Sequence, residues 1–324
     1  MTRQDTIYDL LIIGGGPAGL TAAVYASRSR MSVLVIESML SGGQIATTEM
    51  LDNYPGFPDG IGGMDFGQLL EAHARKFGAE MVLATATGAS LQGEIKTVET
   101  TEGTFRGRTV LLATGARSRP LGAPGEEELK GKGVSYCATC DGFFYTDRVV
   151  AVVGGGDSAL EEGMYLTKFA KKVYIIHRRY QLRAIDYLQE KAKANPKIEL
   201  LLDTVVESIN GRDHVESVTL FHKGENKTWE LPVDGVFMYV GLVPNTEFLK
   251  NSVALDEKGY ILTNENMETS VSGVYAAGDV RQKALRQVVT AVADGAVAAV
   301  MAGRYLDENK QEGGFANERQ RIGN

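Results

Sequence analysis

Tyr8-Asp9-Leu10-Leu11-Ile12-Ile13-Gly14-Gly15-Gly16-Pro17-Ala18-Gly19 is the stretch that decides the fold. An apolar run of strand length ends in a Gly-x-Gly-x-x-Gly turn, and Leu20 to Ser29 follow with the small-residue pattern of a helix. Met31 to Ile36 is a second β-rich run closing on Glu37, so the segment reads strand, turn, helix, strand. In such a turn Gly14 permits the tight bend, Gly16 lets backbone approach a pyrophosphate, and Gly19 allows helix and strand to pack closely. The helix start at Pro17 and Ala18 then faces the phosphates, and Glu37 is placed to accept hydrogen bonds from a ribose diol. The plain alternative is a glycine-rich structural turn.

The arrangement returns 140 positions later. Arg148 to Val153 is the strand, Gly154-Gly155-Gly156-Asp157-Ser158-Ala159 the turn and Lys172 to Ile176 the second strand, with His177 where Glu37 stood. A duplication of this kind predicts two similarly folded nucleotide-binding units in one chain. The second turn ends in Ala159, and His177-Arg178-Arg179 replaces the acid. A carboxylate there repels a ribose 2′-phosphate, whereas the guanidinium groups of Arg178, Arg179 and Arg183 bind one, which favours NADPH over NADH. A solvated basic strand end is the bland reading. FAD at the first site and NADPH at the second follow from this difference. A further strand, Val274 to Ala277, ends in Gly278-Asp279 and can aim a carboxylate at a polyol such as ribityl, although Gly-Asp is also a common structural turn.

Candidate joints lie at Ala113-Thr114-Gly115-Ala116 and Gly241-Leu242-Val243-Pro244-Asn245, each with Gly or Pro after an apolar run. They imply a first domain made of residues 1–116 and 247–324, with a second domain, 117–246, inserted between. Glu308 to Asn324 is polar, lacks apolar period and is expected to be mobile.

Composition narrows the function. The chain has 324 residues, 44% of them apolar, enough for two cores. A net charge of -7 without a dense Lys/Arg run argues against a nucleic-acid partner. Met1 to Leu11 does not read as a leader, and no uninterrupted apolar run reaches the roughly 18 residues needed to span a bilayer, so no membrane role and a cytoplasmic location are expected.

The two cysteines stand at Cys137-Ala138-Thr139-Cys140, which excludes a multi-bridge scaffold and a four-cysteine zinc site. Thiol exchange needs one attacking and one resolving sulfur, and this spacing supplies both. Half of a zinc site is the rival, but no second Cys pair or nearby His pair completes it, so no metal is expected. Asp141 adjoins Cys140 as a candidate acid and base for the released thiol, or as an ordinary turn aspartate.

Taken together, Gly14 to Gly19, Gly42-Gly43-Gln44, Asn53-Tyr54-Pro55-Gly56, Ala113 to Ala116, Cys137-Ala138-Thr139-Cys140-Asp141-Gly142, Gly154 to Ala159, His177-Arg178-Arg179 and Ala276-Ala277-Gly278-Asp279-Val280 resemble the low-molecular-weight, bacterial-type thioredoxin reductases over nearly the whole chain. The resemblance implies an α/β fold of two Rossmann-like dinucleotide-binding domains, one for FAD and one for NADPH, the second inserted into the first. It implies FAD contacts from Glu37, Gly42, Gly43, Gln44, Asn53, Gly278, Asp279, Arg286, Gln287 and Val288. NADPH contacts would come from Gly154, Gly156, Asp157, Ser158, Ala159, His177, Arg178, Arg179 and Arg183. By the same resemblance Cys140 receives electrons from the flavin, Cys137 exchanges with thioredoxin, Asp141 is the acid and base, and the working form is a homodimer whose inserted domain swings between half-reactions. Tyr180 departs from the family, where an Asp often follows the His-Arg-Arg run. A reductase of another disulfide carrier, and a flavin electron-transfer protein without disulfide chemistry, remain alternatives.

Overall fold

The computed structural model describes residues 5–47, 50, 51, 53–249 and 252–311. It divides into two compact units, Met1–Ala116 with Pro244–Asn324, and Arg117–Val243. The chain begins with β1 (Ile7–Ile13), α1 (Pro17–Arg28), β2 (Val33–Glu37), α2 (Gly63–Lys76), β3 (Glu80–Leu83), β4 (Ala86–Ser90), β5 (Lys96–Thr100) and β6 (Gly103–Leu112). After β7 (Ala116–Ser118) come β8 (Val134–Ser135), α3 (Ala138–Asp141), β9 (Val149–Gly154), α4 (Asp157–Leu166), β10 (Lys172–Ile176), α5 (Asp186–Ala194) and β11 (Ile198–Leu201). The remaining elements are β12 (Thr204–Asn210), β13 (Ser217–His222), β14 (Lys227–Pro232), β15 (Gly235–Tyr239), β16 (Leu242–Pro244), β17 (Val274–Ala276) and α6 (Val288–Gln311).

In the first unit β1 lies between β2 and β6, and β3 extends the parallel sheet beyond β2. β6 is long enough to serve two further partners along its other edge. Its early residues pair antiparallel with β5, and Val110 to Leu112 pair parallel with β17. The apolar run from Leu10 to Ile13 in β1 is what a strand covered on both faces requires. Leu10 and Ile12 enter one core with alanines of α1 and α6, while Leu11 and Ile13 enter the other with Phe105 and Ile261. Each fully buried side chain of this kind stabilises by about 1.5–3 kcal/mol.

The second unit repeats the plan with an all-parallel order β11-β10-β9-β15-β8, beside the antiparallel β12-β13-β14. The 140-residue shift holds to the register. Leu10 pairs with Val33 as Val150 pairs with Val173, and Ile13 with Ile36 as Val153 with Ile176. Both glycine turns therefore leave the C-terminal end of a central strand, where neighbouring crossovers diverge and leave a crevice.

β7 and β16 pair with each other. Thr114 Oγ1 donates to the Asn245 carbonyl at 2.7 Å, and Asn245 Nδ2 donates to the Thr114 carbonyl at 2.8 Å, so the candidate joints are bonded side by side.

Glu308 to Gln311, expected to belong to a mobile tail, are the last turn of α6 instead, because Glu, Lys and Gln are strong helix formers. Residues 312–324 lie outside the described residues. By length and composition alone Val288–Asn309 is apolar enough to cross a bilayer. Asp294 interrupts it, buried against Arg281 and Lys283, and its alanines pack on α1, which makes it a core helix of the first unit.

Candidate functional site

The first glycine turn is built by close approach. Gly14 has a φ of 109°, and a Cβ there would lie 2.3 Å from the Ala113 carbonyl oxygen. A Cβ on Gly19 would lie 1.9 Å from the Gly14 carbonyl oxygen, so β1 and α1 meet at bare-backbone distance. Glu37 reaches back over the turn, accepting from Gly15 N–H at 2.5 Å and Met39 N–H at 2.9 Å. Gly42 N–H donates to the Gly15 carbonyl at 2.8 Å, and Gly43 lies against Gly16, which brings the Gly-Gly-Gln loop to the same place. Gln44 donates to the Ala116 carbonyl. Pro17 and Ala18 form the first turn of α1.

The later sequence of this unit meets the turn from the other side. Gly278, with φ of 77°, lies where a Cβ would be 3.0 Å from the Ala18 Cβ. The next residue, Asp279, has its Oδ1 shut off from solvent without a hydrogen-bond partner. Arg286 Nε donates to the Asp279 carbonyl at 3.4 Å, with its guanidinium 4.0 Å from the Tyr260 ring centroid. Gln287 precedes Val288, the first residue of α6, and accepts from Asn53 Nδ2 at 3.2 Å, joining residues far apart in sequence.

Burial raises the Asp279 carboxyl above the ordinary aspartate range; Lys283 and Arg286 pull it down and Asp294 pushes it up. A carboxyl raised in the folded state binds more protons folded than unfolded. The penalty is therefore absent below the usual value near 3.9 and complete once pH exceeds the folded value. Asp279→Asn should raise the melting temperature of the protein at neutral pH by about 2 °C, a gain of about 1 kcal/mol. Calorimetry of the two proteins without added ligand checks it.

At the second turn a Cβ on Gly154 would lie 2.5 Å from the Tyr239 carbonyl oxygen, the counterpart of Ala113. Gly156 precedes α4, which starts at Asp157, Ser158 and Ala159, and Asp157 Oδ1 accepts Ile185 N–H at 2.9 Å. His177 is buried under the loop, its ring against Gly155, its Nε2 unpartnered. Burial lowers its pKa, and Arg183, Arg179 and Arg178 lower it further. Arg178, Arg179 and Arg183 are exposed and form no ion pair among the described residues. Arg183 N–H donates to the Gly155 carbonyl at 2.6 Å, which ties the cationic loop to the turn. Tyr180 is 80% exposed and leaves the loop open.

Cys137 and Cys140 are bonded to each other, Cα to Cα 5.3 Å, so neither sulfur is held for half of a zinc site. Cys137 caps α3, accepting Cys140 N–H on its Sγ at 3.1 Å. Thr139 Oγ1 lies 3.4 Å from the same sulfur and must be the donor, because a disulfide sulfur carries no hydrogen. Ser135 bonds both the N–H and the carbonyl of Cys137. Cys140 is exposed, Cys137 half-buried, and Asp141 closes the same short helix.

Sequence reading missed three groups here. Tyr239, at the end of β15, has its hydroxyl on Ala138 N–H at 2.9 Å and links the second turn to the dithiol helix. Glu126 is buried, accepting Tyr136 Oη at 2.7 Å and Leu121 N–H at 2.8 Å, and so fixes the strand that delivers Cys137. Asp294 binds Gly278. A lone acid inside Val-Val-Thr-Ala-Val-Ala-Asp-Gly-Ala-Val was the one available signal for it.

The sequence profile of the pyridine nucleotide-disulphide oxidoreductase family matches residues 8–295. The chain is 46% identical over 315 residues to the thioredoxin reductase of Peptoclostridium acidaminophilum, covering 95% of this chain and 100% of that one. It is 46% identical over 308 residues to that of Bacillus subtilis, covering 94% and 96%. Among solved structures it resembles the Lactococcus lactis thioredoxin reductase with a TM-score of 0.91 at 41% identity, over 93% of this chain and 99% of that one. The T. acidophilum thioredoxin reductase gives 0.88 at 34%, over 93% and 98%.

Proposed function

Since the chain belongs to the pyridine nucleotide-disulphide oxidoreductases and, within them, to the thioredoxin reductases, we propose that it reduces thioredoxin with NADPH through FAD and the Cys137–Cys140 disulfide. The observation that carries the reading is that bonded pair on α3, in the unit whose strand β10 is followed by His177, Arg178 and Arg179. Bound FAD supplies the redox centre that takes hydride from NADPH and passes the electron pair to a disulfide.

The residues of the first unit fit such a cofactor. Gly14, Gly16 and Gly19 leave bare backbone for a pyrophosphate, Pro17 and Ala18 turn the start of α1 toward it, and Glu37 takes the ribose. Gly42, Gly43, Gln44, Asn53, Arg286, Gln287 and Val288 complete the cradle, and Gly278 presents Asp279, whose orphaned Oδ1 awaits a hydroxyl donor. In the second unit Gly154, Gly156, Asp157, Ser158 and Ala159 shape the NADPH turn, and His177, Arg178, Arg179 and Arg183 hold the 2′-phosphate. Arg178→Ala should raise the KM for NADPH roughly tenfold to a hundredfold, as a lost charged hydrogen bond does. The KM for NADH should stay unchanged; steady-state kinetics with both cofactors decide it.

Cys140 takes the electrons and the disulfide opens. Cys137, as thiolate, attacks the thioredoxin disulfide; Cys140 then attacks the mixed disulfide, releasing dithiol thioredoxin and restoring the Cys137–Cys140 bond. Asp141 transfers the proton at the thiol that is released. The donors already aimed at Cys137 Sγ, Cys140 N–H and Thr139 Oγ1, favour negative charge on the attacking sulfur. A yellow protein that bleaches with NADPH and recovers its colour with thioredoxin supports the reading. A colourless protein that cannot take up flavin, or one that bleaches but never reoxidises with any disulfide carrier, overturns it.

The working form is a homodimer. Tyr25, Val297 and Val300 are 42%, 38% and 45% exposed around a 330 Å³ groove completed by Ala296, Met301 and Arg304. Such an apolar face on α1 and α6 suits a second copy of the chain. Val300→Asp should shift sedimentation toward the monomer. A reductant drawing on NADPH belongs where thiols are kept reduced, in the cytoplasm.

A further inference from the structure

We propose that Asp294 of α6 is a positioning residue for FAD, acting through the backbone of Gly278 to present Asp279. The inference rests on reading the first unit as the flavin site. Asp294 is 8% exposed. Its Oδ2 accepts Gly278 N–H at 3.0 Å and Lys283 Nζ at 2.7 Å, and its Oδ1 accepts Arg281 Nη1 at 3.1 Å. Arg281 is itself held, with Nε on Thr263 Oγ1 at 2.8 Å. The carboxylate is thus fixed from two sides by half-buried cations, and the group it in turn fixes is one peptide N–H.

That N–H matters because of its neighbour in the chain. Gly278 turns with positive φ, and Asp279, the adjoining residue, carries the orphaned Oδ1. A buried carboxylate with an unpartnered oxygen drifts toward any donor within reach. Lys283 is a nearby cation that already acts on Asp279 electrostatically. Asp294 holds Lys283 and the Gly278 amide with the same oxygen. It thereby keeps the lysine engaged and leaves the Asp279 oxygen open for a ligand hydroxyl.

Asp294→Asn keeps the shape but accepts through one oxygen only and releases the cations. In the full-length chain it should weaken FAD at least roughly tenfold, measured by flavin fluorescence on titrating flavin-free protein. At saturating FAD the visible circular dichroism of the bound flavin should also change, which a loss of stability alone would not cause. Lys283→Met, which leaves Asp294 and Arg281 in place, should give a smaller loss in the same assay and serves if Asp294→Asn does not fold. Wild-type affinity and an unchanged visible spectrum in whichever variant folds overturn the proposal. Wild-type protein that binds no FAD overturns instead the reading beneath it.

Discussion

Cys140→Ser is expected to leave NADPH bleaching of the flavin intact while abolishing thioredoxin reduction, a fall of at least about a thousandfold. The exchange cycle needs two sulfurs, because the mixed disulfide formed at Cys137 is resolved only by a second thiol. Cys140 is exposed on α3, so the smaller hydroxyl leaves no cavity, and the Cys140 N–H remains to bond Cys137 Sγ. Folding and both nucleotide sites should therefore survive. Anaerobic titration with NADPH, followed by a thioredoxin-coupled assay on the same sample, separates the two half-reactions. Residual thioredoxin turnover within tenfold of wild type would show that the electrons leave by another route.

Gly19→Ala should give a protein that loses its flavin, whereas Ala159→Gly at the equivalent place should be nearly silent. The added methyl at position 19 would lie 1.9 Å from the Gly14 carbonyl oxygen, and that obstacle is backbone, unable to swing away. Either α1 retreats or the turn opens, at a cost of about 3 kcal/mol. The second unit accommodates Ala159 there, fully buried. Its helix already stands far enough off for a methyl. Absorbance of the purified variants at the flavin band, against protein concentration, reads the contrast directly.

Both βαβ units were legible because each signal is local: an apolar run, a glycine turn, a helix and a second run within about thirty residues. The 140-residue shift survives in the strand register because the side-chain period of a strand leaves no room for slippage without exposing the core. What the sequence hid are contacts between distant segments. Asn53 with Gln287, Tyr239 with Ala138 and Asp294 with Gly278 each depend on crossovers that bring strand ends together, and no spacing rule encodes them. The end of α6 was hidden for a different reason. Loss of apolar period at Glu308 signals loss of a packing partner, which a helix long enough to hold its own hydrogen bonds tolerates.

Where α6 crosses α1, a Cβ on Gly295 would lie 2.1 Å from the Ala18 carbonyl oxygen. At that point the two helices touch like rulers laid edge to edge, backbone against backbone. Gly14 to Gly19 lead into one ruler and Gln287 and Val288 begin the other, so their separation is a machined dimension of the first unit. A methyl on Gly295 would push α6 off α1 and carry the Gln287–Val288 end of α6 away from the turn at Gly14 to Gly19.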